Sequence, residues 1–249
     1  MYNFVAQLNF PVLHPGGSKA TEKLLEILKI SENSNLLDVG CGSGFTACLI
    51  AKRHDVHVTG IDLSENMITE AIKRANKENL SSFTDFRVAS VYELPFDPNN
   101  FDYIIFESVL TPLKDEGRAL REMTRVLRDD GKIGCNEAMF SETLPQEIID
   151  LLATHPSFSG HILTETTIKE LFRQSGLIIQ TFEKIDSDFS VTKELGIRGI
   201  IRFMLFKYPS LILKLIKDSQ FRKYQKIDDK VNKETKKYAE TALIIAQKS

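Results

Sequence analysis

Three glycines at alternate positions, and an acid two residues before the first of them, occur together near residue 40. Residues 36–44 read Leu-Leu-Asp-Val-Gly-Cys-Gly-Ser-Gly, so an apolar run leads through Asp38 into the glycines. This pattern is typical of a buried parallel strand that breaks into a tight turn before a helix. Glycine adopts the backbone angles that such a turn needs, and without a Cβ it lets a ligand approach the main chain. We therefore expect a ligand to contact Asp38, Gly40, Cys41, Gly42 and Gly44.

The spacing of the glycines separates two classes of ligand. The dinucleotide pattern G-x-G-x-x-G, counted from Gly40, needs a glycine at position 45, where this chain has Phe45. The carboxylate of Asp38 would also repel a pyrophosphate, whereas it suits a ligand that carries a cationic ammonium. These two residues make an NAD-dependent enzyme the weaker alternative.

A second acid follows the glycines at the distance that a ribose contact needs. Residues 56–62 alternate β-branched and polar side chains and end on Asp62, 22 positions after Gly40, as a second strand of a nucleotide-binding α/β fold would. A carboxylate there can accept hydrogen bonds from both ribose hydroxyls. The structural alternative is that Asp62 caps a helix beginning near Ser64. Leu63 and Met67 would contact the adenosine, and core packing is the alternative for Met67.

The rest of the chain must supply the strands and helices that hold these residues. Apolar runs predict further strands at the start of 86–97 and at 101–106, 133–137, 177–185 and 239–246. Apolar residues at helical spacing predict a helix at 118–128, and another is expected at about 19–29. This succession indicates one α/β domain with a mostly parallel sheet.

With these motifs in place, the chain resembles the class I S-adenosylmethionine-dependent methyltransferases over residues 30–140, and more loosely to the final strand. S-adenosylmethionine carries both the ribose and the cationic ammonium that the two acids predict. The resemblance implies a Rossmann-like, seven-stranded, mostly parallel sheet with helices on both faces and a helical insert before the last strand. The loop Leu94-Pro-Phe and the helix at 122–127 are similar to the small-molecule branch that includes ubiquinone and menaquinone C-methyltransferases.

The loop after the third strand departs from the family pattern. In related enzymes this loop usually carries an acid that contacts the adenine amino group. The present chain has Ala89, Ser90 and Val91 there. The backbone N–H groups and the Ser90 hydroxyl still have the chemistry to bind adenine, so the resemblance implies that Ser90 and Val91 contact the cofactor.

Three residues are candidates for the chemistry of methyl transfer. Glu107 and Glu137 follow the predicted fourth and fifth strands, whose ends meet at the ligand edge of the sheet. A buried acid there would have a raised pKa and could serve as a general base; the alternative is that both only orient ligands. His14 lies in the segment 10–17, and by the resemblance this segment closes over the cofactor. The alternative is a plain turn with a surface histidine.

We expect the chain to be organised in four stretches: an amino-terminal cap segment at 1–30, the methyltransferase core at 31–186, a helical insert or lid at 187–237 and the final strand at 238–249. The expected activity is in-line methyl transfer from S-adenosylmethionine to a small, partly apolar molecule. A non-catalytic S-adenosylmethionine-binding regulator or partner subunit is the alternative from another class.

Composition limits the class of protein. The 249 residues are 42% apolar and 27% charged, which is typical of a globular protein. The three cysteines and five histidines lack metal-ligand spacing, so no metal is expected. Few cysteines and no secretory signal predict a protein of the reducing cytoplasm. No RNA-binding module or aromatic-basic alternation occurs, so no nucleic-acid partner is expected.

Charge is unevenly distributed along the chain. Residues 190–249 carry 14 Lys and Arg against 6 Asp and Glu, whereas the remainder carries 18 against 28. Basic amphipathic helices are predicted at 196–217, and three interpretations compete. These helices form a lid with a solvated basic face, a lid whose apolar face lines an acceptor pocket, or a surface in weak contact with anionic membranes. A homodimer is a further hypothesis that the sequence leaves open.

Overall fold

The computed structural model describes residues 14–155, 160–185, 227, 230–231 and 233–249. Seven strands form one sheet: β1 (Asn35–Val39), β2 (His57–Asp62), β3 (Thr84–Val88), β4 (Phe101–Glu107), β5 (Leu127–Phe140), β6 (Leu177–Ile185) and β7 (Ala239–Lys248). Their order across the sheet is β3-β2-β1-β4-β5-β7-β6. Strand β7 runs antiparallel to its two neighbours, and the other neighbouring pairs are parallel.

In the described part of the chain, helices with defined bounds cover the two faces of this sheet or follow its strands: α1 (Gly17–Leu28), α2 (Phe45–His54), α3 (Glu65–Lys77), α4 (Glu116–Val126), α5 (Gln146–Ala153) and α6 (Glu165–Gln174). Successive residues of a strand point to opposite faces, and β4 shows this directly. Ile104 and Phe106 pack in one core with α4 and α6, whereas Tyr103 and Ile105 pack in the other with α1, α2 and α3. The sheet is therefore buried on both sides, which explains why its strands read as continuous apolar runs.

The strand order reverses next to β1, and such a switch point is where open α/β sheets bind ligands. Strand β1 is flanked by β2 on one side and by β4 on the other. The register pairs Val39 with Phe106, and Glu107 with Asn136 of β5. The ends of β1, β4 and β5 thus bring polar residues from distant parts of the chain to one edge of the sheet.

The predicted Rossmann-like, seven-stranded, mostly parallel sheet is confirmed, and α4 and β5 differ from their predicted bounds. Helix α4 begins at Glu116 because the side chain of Asp115 accepts from the N–H of Arg118 at 2.8 Å and caps it. Strand β5 then starts directly at Leu127, where a strand was expected only from 133. Residues 128–131 lie at a register shift inside β5, between the pairings Phe101–Leu127 and Tyr103–Lys132.

Strand β5 also continues beyond its expected end, to Phe140, because it stays paired with β7 as far as the pair Phe140–Ala239. Glu137 therefore lies within this strand, and the expectation that it follows the strand was wrong.

The predicted insert at 187–237 lies largely outside the described residues, and so do the basic segment 196–217 and residues 1–13. Within the described ranges, no helix is both long and apolar enough to cross a bilayer. A search of the same ranges finds no group of three or more His, Cys, Asp or Glu side chains placed to hold a metal ion.

Candidate active site

The glycine loop connects β1 to α2, and all three of its alternate glycines have left-handed backbone angles. The φ angles are 70° at Gly40, 52° at Gly42 and 74° at Gly44, a region that favours glycine. A Cβ on Gly40 would lie 2.7 Å from Val109 Cγ2, and a Cβ on Gly44 would lie 2.9 Å from the Ala71 Cβ. Gly42 has nothing within 4 Å of such a Cβ. Gly40 and Gly44 are thus needed for close packing, whereas Gly42 leaves open space beside its main chain.

Asp38, two residues before this loop, is almost completely buried with an incompletely satisfied carboxylate. Its side chain is 3% exposed, and its Oδ2 has no hydrogen-bond partner among the described residues. Burial raises the pKa of Asp38 well above its usual range, and the nearby carboxylates of Glu107 and Asp62 raise it further. An unpaired buried carboxylate is costly. The residues present therefore fit a ligand with a cationic group at this point, as the ammonium of S-adenosylmethionine would be.

Asp62 ends β2 and joins the glycine loop to the start of α3. Its Oδ2 accepts from the N–H of Gly42 at 3.0 Å, and its Oδ1 accepts from the N–H of Ser64 at 2.8 Å. Burial raises the pKa of Asp62, while these two N–H groups lower it. Ser64, not Asp62, is the N-cap of α3, since the Ser64 hydroxyl accepts from the N–H of Met67. The capping alternative for Asp62 was therefore wrong, and each carboxylate oxygen keeps a lone pair for a further donor.

The predicted adenosine contacts lie around Asp62 in different environments. Leu63 is 70% exposed, and Met67 is buried. After β3, the N–H of Ala89 donates to the carbonyl of Asp62, and the Ser90 hydroxyl accepts from the N–H of Tyr92. Val91 is buried in the core beneath α4. The structure thus brings all four predicted contact residues close to the end of β2, with Leu63 as the large apolar side chain left uncovered.

Glu107 lies at the centre of a polar cluster with four other side chains. We call these five residues the Glu107 cluster: His14, Thr21, Thr46, Glu107 and Asn136. The carboxylate accepts from the Thr46 hydroxyl at 2.9 Å and from the Thr21 hydroxyl at 3.0 Å. The Nε2 atom of His14 lies 3.1 Å from Glu107 Oε2, and both side chains are less than a tenth exposed. The cluster joins the turn before α1, α1 itself, the start of α2, the end of β4 and an interior residue of β5.

The amide of Asn136 connects His14 to the turn and to Glu107. Its Nδ2 lies 2.9 Å from the carbonyl of Pro15, 3.4 Å from Glu107 Oε2 and 2.9 Å from His14 Nδ1. His14 Nδ1 also lies 3.2 Å from the Pro15 carbonyl, and His14 Nε2 lies 3.0 Å from the Thr21 hydroxyl. Both ring nitrogens of His14 are therefore within hydrogen-bond distance of polar groups, and which of them donates depends on the tautomer. The alternative of a surface histidine was therefore wrong, because the His14 side chain is only 8% exposed.

Glu137 lies one residue beyond Asn136 but takes no part in this cluster. It is fully buried, and its Oε1 accepts from the N–H groups of Val109 at 2.6 Å and Leu110 at 2.8 Å. Its Oε2 accepts from the Thr111 hydroxyl at 3.3 Å. Burial raises the pKa of Glu137 to about 7, although these hydrogen bonds lower it. The two acids predicted from the strand ends thus occupy separate hydrogen-bond networks.

Sequence reasoning missed three members of the Glu107 cluster. Thr21, Thr46 and Asn136 are buried polar residues within otherwise apolar stretches of α1, α2 and β5. Buried polar groups in proteins are hydrogen-bonded, so a lone polar residue on an apolar face is a signal that could have indicated them. Most of their partners were not readable, because Thr46 meets Glu107 across 61 positions, Thr21 meets Glu107 across 86 and Asn136 meets His14 across 122.

Comparison with known proteins places the same residues in a methyltransferase context. A family model described as a methyltransferase domain matches residues 37–152. An uncharacterized protein of Haemophilus influenzae is 30% identical over 202 residues, which are 80% of this chain and 78% of that protein. A demethylmenaquinone methyltransferase of Listeria welshimeri is 36% identical over 128 residues, 49% of this chain and 51% of that enzyme. This chain therefore spans about half the length of the Listeria relative.

A solved structure has the same fold over the whole chain. It is a SAM-dependent methyltransferase from Geobacter sulfurreducens in complex with S-adenosyl-L-homocysteine. The TM-score is 0.77 at 15% identity, with 100% of this chain and 98% of that chain covered. At this identity the likeness concerns the fold alone.

Proposed function

Because the chain belongs to the class I S-adenosylmethionine-dependent methyltransferase family, we propose that it transfers a methyl group from this cofactor to a small, partly apolar acceptor. The observation that carries the proposal is the buried Asp38 carboxylate, which lacks a partner for Oδ2 beside three left-handed glycines. A buried charge is retained where a ligand supplies its counter-charge. The family and the local chemistry of the site point to the same cofactor.

Each predicted contact residue has a role in binding this cofactor. Asp38 would hold the ammonium group, and the main chain at Gly40, Cys41, Gly42 and Gly44 would border the amino-acid part. Asp62 would accept from the ribose hydroxyls. Leu63 and Met67 would pack on the adenosine, with Ser90 and Val91 at the adenine. The high exposure of Leu63 supports this role, since a large apolar side chain at such a position gains by covering an apolar ring.

The cofactor supplies a methyl group already activated on a sulfonium, so the protein needs mainly to align the acceptor and to exclude water. The turn before α1 supports this function, because His14 and Pro15 are held against the ends of β4 and β5 by Glu107 and Asn136. Correct alignment of two reactants is worth about 7–11 kcal/mol of a reaction barrier. We infer that the acceptor enters at this edge of the sheet.

An acceptor that carries a proton on its nucleophilic atom must lose it during the reaction. We place Glu107 as the group that receives this proton, with His14 hydrogen-bonded to it. Within the described ranges, the side chains at hydrogen-bond distance from the Glu107 carboxylate carry exchangeable protons: His14, Thr21, Thr46 and Asn136. Such surroundings can redistribute a proton after the carboxylate has received it.

The class of the methyl acceptor is inferred from the name of a related enzyme. The Listeria relative is named a demethylmenaquinone methyltransferase, and this name supports a partly apolar small molecule as acceptor. Weak membrane contact through 196–217 and a homodimer stay predictions, as does a cytoplasmic location.

Transfer of labelled methyl from S-adenosylmethionine into metabolite extracts tests the proposal. We expect a labelled small molecule with the wild-type protein and none with a variant in which Asp62 is replaced by alanine. If the wild-type protein binds S-adenosylhomocysteine but labels nothing in extracts from several sources, the regulator alternative would be the better account.

A further inference from the structure

Glu137 collects the hydrogen-bond donors of the loop that follows β4. This loop, residues 108–111, begins where the N–H of Ser108 makes the last ladder bond to the carbonyl of Asn136 at 2.8 Å. The next three residues all direct donors at the same carboxylate: the backbone N–H groups of Val109, Leu110 and Thr111, and the Thr111 hydroxyl. The Glu137 side chain therefore accepts the hydrogen bonds of a loop that belongs to no helix or strand.

The loop needs such an anchor because its backbone is unfavourable at the start. Ser108 has a φ of 56°, in the left-handed region that non-glycine residues rarely adopt. Such a conformation persists when the surrounding structure fixes it. Leu110, two residues later, is fully buried in the core beneath α4. The Glu137 carboxylate and this buried leucine together fix the path of the loop.

The anchored loop lies directly against the glycine loop. A Cβ on Gly40 would come within 2.7 Å of Val109 Cγ2, so Val109 fills the space that this glycine leaves. The same residue donates its backbone N–H to Glu137 at 2.6 Å. A displacement of Glu137 would therefore reach the glycine loop through a single intervening residue.

We propose that Glu137 is a positioning residue, which holds the loop 108–111 against the glycine loop and so shapes the cofactor site, and that it takes no proton from the methyl acceptor. The proposal rests on the proposed function and assigns this residue a role different from the one expected from the sequence. Its donors include the backbone N–H groups of Val109, Leu110 and Thr111, which do not relay protons. Its side chain has no exposed surface through which an acceptor could reach it.

Glutamine is the substitution that separates positioning from proton transfer. In Glu137→Gln the amide oxygen can accept from both backbone N–H groups, and the amide nitrogen can donate to the Thr111 hydroxyl, which then acts as acceptor. Glutamine thus keeps the hydrogen bonds from the Val109 and Leu110 N–H groups but cannot act as a base. In Glu137→Ala all donors to this carboxylate lose their partner inside the protein.

The experiment measures the affinity for S-adenosylhomocysteine by calorimetry in wild-type protein, Glu137→Gln, Glu137→Ala and Val109→Ala. We expect Glu137→Gln to bind within about threefold of wild type, and Glu137→Ala to bind at least about tenfold more weakly, the effect of leaving buried donors unpaired. Val109→Ala should weaken binding by about threefold or more, because it removes the methyl groups that pack beside Gly40. The matched control is Glu116→Gln, since Glu116 is a buried acid at the start of α4 that bonds to His161 and makes none of the hydrogen bonds described for Glu137. Its affinity should equal that of wild type.

Methyl transfer by the same variants gives the second readout. Glu137→Gln should keep most of the wild-type rate of label incorporation. If it binds the ligand normally but loses turnover as completely as Glu137→Ala, Glu137 is a base and the proposal is wrong. Wild-type affinity in a folded Glu137→Ala would also overturn it.

Two further outcomes are decisive. Should Glu137→Ala fail to fold, Glu137→Gln and Val109→Ala still test the proposal. Wild-type affinity for S-adenosylhomocysteine in Val109→Ala would overturn it, because Val109 is the contact between the loop 108–111 and the glycine loop. Failure of the wild-type protein to bind S-adenosylhomocysteine would refute the proposed function instead, and this result is distinct from a difference among variants.

Discussion

Replacing Glu137 by glutamine should change how the free energy of unfolding depends on pH. Burial raises the pKa of Glu137 from an ordinary value of 4.5 to about 7. Between these two values the folded protein holds a proton that the unfolded chain has released. The folded state is therefore favoured at the lower pH, and this contribution is lost as the pH rises towards 7.

The size of the effect follows from the two pKa values. For a single group with pKa values of 4.5 unfolded and about 7 folded, linkage gives a loss of about 2 kcal/mol between pH 5.5 and pH 8.5. Glutamine does not titrate and lacks this contribution. Burial also raises the pKa of Asp38 and of Asp62, but both proteins contain these groups, so their effects cancel in the difference between the two proteins.

Urea unfolding at pH 5.5, 7.0 and 8.5 measures this difference. The free energy of unfolding of Glu137→Gln, minus that of wild type, should be about 2 kcal/mol higher at pH 8.5 than at pH 5.5. A difference in stability between the two proteins that is the same at every pH does not affect this comparison. Parallel curves for the two proteins would refute the reasoning, because they would mean that Glu137 titrates alike in the folded and unfolded states. The control is Glu142→Gln, at an exposed acid whose pKa is lowered by hydrogen bonds from Thr166. The pKa of Glu142 lies at or below its ordinary value of 4.5 in both the folded and the unfolded state, so between pH 5.5 and pH 8.5 the stability curve of this variant should run parallel to that of wild type.

Two further predictions concern the sheet and the Glu107 cluster. Gly60→Ala should lower the free energy of unfolding by about 1–3 kcal/mol in a urea titration, because the new Cβ would lie 2.6 Å from the Phe86 ring; an unchanged midpoint would contradict the packing described for β2. Glu107→Gln should leave the affinity for S-adenosylhomocysteine within a few-fold of wild type but lower methyl transfer to a protic acceptor by about 100-fold or more. Thr21→Ser, which keeps the hydroxyl next to Glu107, is its control, and full turnover in Glu107→Gln would exclude Glu107 as proton acceptor.

The parts of the site that could be predicted from sequence are those that are local in the chain. Asp38 and the glycines lie within seven residues, so the break from an apolar strand into a ligand loop is visible directly. Asp62 ends the next strand, and its distance from Gly40 is set by one intervening helix, α2. Regular α/β connections therefore make these positions predictable.

The Glu107 cluster could not be predicted in the same way, because its hydrogen bonds depend on strand register and helix placement. His14 meets Asn136 across 122 positions, and Thr46 meets Glu107 across 61. The bounds of β5 were misplaced for a related reason. Pairing with β7 extends this strand to Phe140, and that partner comes a hundred residues later. Glu137 was consequently expected at a strand end, whereas the sheet buries it.

The cluster also gives the amino-terminal turn a physical connection to the glycine loop. Thr46 lies two residues after Gly44 in α2 and donates to the same carboxylate that lies beside His14. The turn, the glycine loop and β4 therefore share one polar centre. Movement of the turn would alter the hydrogen bonds at the start of α2, where the N-terminal N–H groups of a helix favour anionic groups.

The affinity of Asp38→Asn for S-adenosylhomocysteine tests the central claim most directly. Asparagine has the shape of aspartate, but it removes the buried charge that lacks a partner for Oδ2. If that carboxylate serves to hold the ammonium of the cofactor, the variant should be at least as stable as wild type without ligand and should bind at least about tenfold more weakly. Wild-type affinity in a folded Asp38→Asn protein would contradict the assignment of this site.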